Sequence, residues 1–204
     1  MEEDQYQNPQ GEEGRKVIAK MYEHHRELSQ WGLANIPPKT ALAVLDVGCG
    51  GGMAAKMLAL KYPNAKITGI DISEEAVKAT LEYNRVFNQW GKVEAKVASV
   101  EDVPFEDGSL DIITAIETYF FWPDLERNIA HLVSKLRPEG ILCIISEQYF
   151  TEENHAKMEE SCRKYHMRLV ENEDMLALMK KAGLETSMVL NEDKGWVTYL
   201  GIKR

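Results

Sequence analysis

Nine residues, Val44-Leu45-Asp46-Val47-Gly48-Cys49-Gly50-Gly51-Gly52, carry the densest chemical signal in the sequence. Glycines at a strand-to-helix turn let the backbone run close to a ligand and adopt φ > 0 without a Cβ clash. The N-terminus of the helix that follows offers unpaired N–H groups to an anionic group. Asp71 stands 21 residues beyond Gly50, at the end of the next apolar run. A carboxylate there suits a pair of ribose hydroxyls, because it can accept two hydrogen bonds from a cis-diol. Together the two features imply a nucleoside bound where neighbouring strands diverge.

Detail separates one nucleoside from another. A dinucleotide fingerprint reads G-x-G-x-x-G/A, but Met53 stands three residues after Gly50 and is too large for the close helix packing that the third glycine permits. Asp46, two residues before the first glycine, would oppose a pyrophosphate yet could accept a bond from an amino group. S-adenosylmethionine has that amino group and no phosphate, and it is the expected cofactor, with S-adenosylhomocysteine as its product. Two alternatives stand beside this reading: a noncatalytic module that senses either molecule, and a nicotinamide-dependent oxidoreductase, which Met53 disfavours.

The elements that must position these groups follow from the hydrophobic pattern. Residues 41–47 read as a strand, 53–62 as a helix stopped by Pro63, 66–70 as a second strand, and 74–88 as a helix N-capped by Ser73. Strands are expected at 93–97, 110–116 and 141–146, with a helix over 124–136 that stops at Arg137-Pro138-Glu139-Gly140. Helices at 152–165 and 171–182 and strands at 185–190 and 196–202 close the chain. The loop 191–195 is too short for a crossover helix, so the last strand must run antiparallel to its neighbour. The expected fold is α/β: a Rossmann-like, mostly parallel seven-stranded sheet with an antiparallel last strand and helices on both faces.

Four segments in order resemble the class I S-adenosylmethionine-dependent methyltransferases across residues 41–147. They are Leu45–Gly52, then Gly69-Ile70-Asp71-Ile72-Ser73, then Val103-Pro104-Phe105-Glu106-Asp107-Gly108-Ser109-Leu110-Asp111, and last Leu136–Gly140. The resemblance implies that Gly48 and Gly50 pass beside the methionyl part of the cofactor, Asp71 holds the ribose and Ile72 packs on the adenine. Family members often place an acidic residue after the third strand to meet the adenine amino group. The aligned position here is Ser99, with Val100 next, and Glu101 or Asp102 is the expected substitute. Ile116 and Glu117, at the end of the fourth strand, complete the expected cofactor-binding set with Asp46. Glu117–Asp124, Trp31-Gly32-Leu33 and Lys194-Gly195-Trp196 further look like a bacterial and archaeal methyltransferase branch, a resemblance that brings no substrate.

The acceptor should approach at the carboxyl edge of the sheet, near Tyr119, Phe120, Phe121 and Trp122. Aromatic faces favour a cation and exclude water beside a positive methyl donor. Tyr119, Trp122 and Tyr149 are the expected substrate contacts. Enzymes that methylate base or amide nitrogens usually carry Asn/Asp-Pro-Pro-Tyr/Phe at this point, and Glu117-Thr118-Tyr119-Phe120 lacks the prolines. Methyl transfer is an in-line displacement for which alignment and desolvation do much, a base being needed only for a protonated acceptor. Glu147 is the first candidate base and His25 the second, with His155 and His166 behind them, while His131 reads as structural.

Composition bounds the partners. The 204 residues are 44% hydrophobic and carry a formal net charge of −9, which argues for one domain and against a polyanionic substrate. A small-molecule acceptor is therefore expected, with no nucleic acid and no membrane; nothing in the sequence speaks to oligomeric state. Three widely spaced cysteines form no C-x-x-C pair, and no signal peptide or membrane span is evident, so the reading is a cytoplasmic protein with reduced thiols. Residues 1–14 are polar and read as a flexible tail, 15–204 as one domain, 15–36 as an N-terminal cap helix and 147–170 as a substrate-side insertion. Val17, Ile18, Met21 and Leu28 give the cap an apolar stripe, and Gly32 with Pro37-Pro38 bounds it. It is either a mobile lid, with His25 and Trp31 near the transferred methyl, or a fixed part of the core.

Overall fold

From Ala43 onward strands and helices largely alternate, and the strand residues 43–47, 110–116 and 141–146 are buried on both faces, the pattern of a sheet covered twice. The computed structural model describes residues 4–204. Its strands are β1 (Ala43–Val47), β2 (Lys66–Asp71), β3 (Val93–Val97), β4 (Leu110–Ile116), β5 (Leu136–Ser146), β6 (Leu184–Asn191) and β7 (Trp196–Lys203). The helices are α1 (Asp4–Gln7), α2 (Gly11–His24), α3 (Arg26–Ala34), α4 (Met53–Lys61), α5 (Glu74–Tyr83), α6 (Arg85–Gln89), α7 (Leu125–Lys135), α8 (His155–Tyr165) and α9 (Asn172–Lys181). Among the described residues no helix is long and apolar enough to cross a membrane.

The strands form one sheet in the order β3-β2-β1-β4-β5-β7-β6, with β7 antiparallel to both its neighbours and the remaining pairs parallel. The expected fold class is thus observed, its antiparallel strand seated between β5 and β6. Order reverses between β1 and β4, and their carboxyl ends open the crevice in which such sheets bind ligands. Period-two alternation divides the core. Leu45, Ile113 and Ile144 face one side with α7 and α9, while Val44, Ile112, Cys143 and Ile145 face the other with α3 and α4.

Several boundaries differ from the sequence reading, each for a tertiary reason. The expected tail through residue 14 is helical from Asp4 to Gln7 and again from Gly11, because Gly14 packs so closely on Pro9 that an added Cβ would lie 2.6 Å from the Pro9 carbonyl carbon. The first three residues of that tail lie outside the described residues. The single cap helix is two helices, α2 and α3, separated at His25 (φ −90°, ψ 7°). Gly32 does not end α3; it lets the helix lie directly on β5, where an added Cβ would meet the Ile145 side chain at 2.5 Å. The helix over 74–88 divides at Asn84, whose Nδ2 donates to the carbonyls of Gly52 (2.8 Å) and Thr80 (3.0 Å). β5 begins at Leu136, with Arg137–Gly140 accommodated by a register shift against β4 between Leu110 and Ile112. Arg137 holds this irregular stretch through the Ser109 carbonyl (2.6 Å) and Asp111 (3.1 Å).

Candidate active site

The carboxyl ends of β1, β2 and β4 open into a cavity of about 350 Å³, within the range of small-molecule sites. Its floor is the glycine turn. Gly48 and Cys49 donate their N–H groups to the Ile70 carbonyl at 2.8 and 3.0 Å, which ties the turn to the end of β2. Gly48 sits at φ +71°, and an added Cβ would lie 2.5 Å from Thr118 Oγ1, so both conformation and space demand glycine. Gly50 donates its N–H to Asp71 Oδ2 at 3.0 Å, and Ser73 donates to Oδ1 at 2.9 Å, so the carboxylate is braced by the turn it faces. Ser73 also caps α5 as expected, accepting from the Ala76 N–H at 3.1 Å.

Asp46 is strongly perturbed. Thr114 donates to its Oδ1 at 2.8 Å, while Oδ2 is buried with no hydrogen-bond partner among the described residues. Burial pushes its carboxyl up to about 7; the Thr114 bond draws it back and the Asp71 charge adds to the rise. Burial likewise raises Asp71, against the N–H bonds from Ser73 and Gly50 that draw it down. A buried, unpartnered acceptor beside a glycine turn is an unfilled demand for a donor.

A second cavity of about 310 Å³ adjoins the first, and Tyr6, Met21, His25, Glu117 and Phe121 line both. Glu117 ends β4 in the left-handed region at φ +55°, unusual for a residue with a Cβ, and so turns its side chain into the junction. Its Oε1 accepts the Glu147 N–H at 2.6 Å, and its Oε2 faces His25 Nε2 at 3.9 Å. Glu147, just past β5, reaches His24 Nε2 at 2.9 Å and His25 Nε2 at 3.8 Å. Burial, reinforced by the Glu147 charge, pushes Glu117 up to about 7. Burial opposes the charge on Glu147 too, but His25 and His24 beside it outweigh that and hold it below the usual carboxylate range. Burial also works against the His25 imidazolium, yet Glu147 and Glu117 hold it above its ordinary value.

The structure brings most of the expected residues together. Asp46, Gly48, Gly50, Asp71, Ile72, Ser99, Val100, Ile116 and Glu117 all line the first cavity, as do His25 and Trp122. Of the two candidate substitutes at the adenine end, Glu101 lines the cavity and Asp102 does not. Glu147 lines the second cavity only. Tyr119 and Tyr149 correct the reading of the acceptor side: both are buried in the core and line neither cavity. Tyr119 begins the 3₁₀ turn Tyr119–Phe121, whose tight winding directs it inward and leaves Phe120 and Phe121 at the second cavity. His155 faces Glu159 and Glu171 away from both cavities, exposed His166 lines neither, and His131 accepts the Val103 N–H at 3.3 Å, a structural role.

The cap also divides. Ile18 and Met21 of α2 lie over the first cavity, whereas Leu28, Leu33 and Ile36 are buried in the core and Trp31 packs against Trp196. Tyr6 and Pro9 were not legible as site residues, because a polar N-terminal segment carries no periodic signal that would fold it over the sheet; Tyr22 and His24 lie in the cap, where helical spacing alone does not separate a cavity-lining residue from a packed one. Tyr6 meets Tyr165 of α8 edge-on at 5.8 Å, closing the N-terminal segment against the insertion.

Residues 38–194 match the methyltransferase-domain family. Trans-aconitate 2-methyltransferase of Escherichia coli is 32% identical over 128 residues, which cover 63% of this chain and 48% of that enzyme. The chain thus spans about half the length of the curated relatives it matches. Among solved structures, a Haloferax volcanii methyltransferase in complex with its activator Trm112 superposes with a TM-score of 0.78 at 18% identity, covering 92% of this chain and 93% of that one. Geranyl diphosphate C-methyltransferase from Streptomyces coelicolor, solved with Mg²⁺, geranyl diphosphate and S-adenosylhomocysteine, gives 0.72 at 15% identity over 96% and 85%. With the family match running over most of the chain, on this strand order and this glycine turn, the protein belongs to the methyltransferase-domain family, within the class I S-adenosylmethionine-dependent methyltransferases that its motifs resemble.

Proposed function

We propose that this chain transfers a methyl group from S-adenosylmethionine to a small-molecule acceptor, with the cofactor in the first cavity and the acceptor in the second. The observation that carries the reading is the wall the two cavities share, formed by Tyr6, Met21, His25, Glu117 and Phe121. It joins a nucleoside-shaped site to an aromatic one at a cluster of ionisable groups. The first cavity fits the cofactor on its own terms. Asp46 Oδ2 lacks the donor that an α-ammonium group would supply, Gly50 has open space for a methionyl chain where a Cβ would stand, and Asp71 stands braced for a ribose diol. Ile72 and Val100 offer apolar surface to an adenine, with Ser99 and Glu101 beside them.

S-adenosylmethionine supplies a sulfonium methyl: the acceptor–carbon bond forms as the carbon–sulfur bond breaks, the electron pair staying on sulfur. The protein's own contribution is to align, dry and neutralise. Phe121 walls off water where the cavities meet, with Trp122 beside it in the first, and a desolvated junction strengthens the attraction between sulfonium and nucleophile. Glu147 and His25 act on the acceptor's X–H group, taking its proton and leaving the nucleophile's lone pair free to attack. Glu117, braced on the Glu147 N–H, fixes the spacing of that pair.

Three features support a small acceptor. The second cavity is only about 310 Å³, the net charge of −9 disfavours a polyanion, and the curated relative named above methylates a small molecule, trans-aconitate. The test is turnover of S-adenosylmethionine against a panel of small thiols, phenols, amines and carboxylic acids, followed by release of S-adenosylhomocysteine. Turnover with at least one member that Glu147→Gln abolishes is the expected result. Methylation of tRNA with none of the panel, or failure to bind S-adenosylhomocysteine, would overturn it.

A further inference from the structure

His24 ends α2, and His25 (φ −90°, ψ 7°) is the joint between α2 and α3. Both imidazoles meet the same carboxylate, His24 Nε2 at 2.9 Å from Glu147 Oε2 and His25 Nε2 at 3.8 Å from Oε1. One ligand atom from each of the three residues falls within 4.8 Å of the others. Glu117 adds an oxygen 3.9 Å from His25 Nε2, its other oxygen anchored by the Glu147 N–H. Four ligands placed tetrahedrally about 2.1 Å from a zinc-sized ion lie about 3.4 Å from one another. The separations from the Glu147 carboxylate, 2.9 Å to His24 and 3.8 Å to His25, bracket that value.

We propose that His24, His25 and Glu147 bind a divalent transition-metal ion of the zinc class beside the wall shared by the two cavities, where the ion's open fourth position holds the acceptor's thiol or hydroxyl for methylation. The second half of this proposal rests on the methyl-transfer reading; the metal site itself does not.

The chemistry of the donor set favours that class of ion. Imidazole nitrogen suits zinc, iron and nickel, whereas magnesium and calcium take oxygen ligands. Glu147 brings one negative charge to the ion and Glu117 a second beside it. Glu117 accepts the backbone N–H of Glu147, an outer contact of the kind that holds metal ligands in place. The His24 side chain is 65% exposed, which gives an ion access from solvent, while Glu117 at 11% faces the interior where the acceptor would lie. With the ion bound, Glu147 and His25 act on the acceptor through the metal instead of as its base: coordination loosens the proton on a bound thiol or hydroxyl, which passes to water at the exposed His24 edge, and fixes the atom that must attack in line.

The test uses the full chain, treated with chelator and titrated with Zn²⁺ by calorimetry and with Co²⁺ by visible absorption. The expected result is one ion per chain at micromolar or tighter affinity, with Co²⁺ bands of four- or five-coordinate nitrogen and oxygen ligation. His24→Ala and Glu147→Gln should each weaken Zn²⁺ binding at least tenfold and leave S-adenosylhomocysteine binding intact, and His155→Ala should leave Zn²⁺ binding unchanged. Absence of stoichiometric binding by either ion would overturn the proposal, as would binding unaffected by His24→Ala and Glu147→Gln or abolished by His155→Ala. Zinc binding without any affinity for S-adenosylhomocysteine would instead remove the methyl-transfer reading and leave the metal site standing.

Discussion

Replacing Asp46 by Asn should stabilise the ligand-free protein while weakening its grip on S-adenosylmethionine. The folded carboxyl titrates at about 7 against an ordinary 3.8. The folded chain therefore keeps a proton that the unfolded chain has released, and stability falls as pH rises from about 4 through 7, then levels off. Three pKa units correspond to about 4 kcal/mol, an upper figure for the cost of holding that charge in its buried site. Asn keeps an oxygen for the Thr114 bond and carries no charge, so the cost disappears. Chemical unfolding at pH 5 and at pH 8 reads it: the advantage of the variant should grow with pH. Glu117 also titrates at about 7, but it does so in both proteins and cancels in the difference. The remaining charge facing Asp46 is Asp71 across the turn, present in both. Cofactor affinity moves the other way. If Asp46 binds an α-ammonium group as a carboxylate, wild-type affinity should fall about tenfold per pH unit below 7, about 1.4 kcal/mol each, and the variant should be weak and flat. A variant less stable than wild type at pH 8, or one that retains the wild-type pH profile of cofactor binding, would refute the reasoning.

Asp71→Ala should weaken S-adenosylhomocysteine binding by about 2 kcal/mol in calorimetry, since it removes both the diol acceptor and the brace on the Gly50 N–H; unchanged affinity in a folded variant would take Asp71 out of the site. Gly48→Ala should cost at least tenfold in the same assay, because its Cβ meets Thr118 in a backbone conformation that already disfavours a side chain. Leu28→Ala, at 1% exposure, should lower unfolding free energy by about 2–5 kcal/mol in urea titration, and a loss below 1 kcal/mol would show that α3 is not core. Hydrogen exchange should show Arg26–Ala34 protected with or without S-adenosylhomocysteine, and Gly11–His24 gaining protection only with it; equal protection of both segments in both states would rule out a moving α2.

What the sequence made legible is what local rules determine. The apolar runs ending at Val47, Ile70 and Ile116 have the length and breaks of buried parallel strands, and the five-residue link before Trp196 leaves no room for a crossover. Asp46, Gly48, Gly50 and Asp71 were visible for the same reason: a turn that must admit φ > 0 announces itself in glycine, and an acid at a strand end has few structural uses. The expected adenine end was half visible, since Ser99 and Val100 sit where strand order places them while loop geometry alone brings Glu101 to the cavity.

The acceptor side was illegible because long-range packing makes it. Tyr119 and Tyr149 lie beside the right loops, yet a 3₁₀ turn and the packing around α9 send both into the core. Nothing local distinguishes them from Phe121, which faces both cavities. His24 shows the point most sharply. Its spacing, seven residues after Val17, three after Met21 and four before Leu28, places it on the apolar stripe of a continuous helix; the structure instead sets it against Glu147, with His25 beside it at the break between α2 and α3. That break coincides with the boundary between a segment lying over the cofactor cavity and one buried against β5. A hinge there would carry His24 and His25 with it, so closing α2 over the cofactor and assembling the group that acts on the acceptor would be one movement.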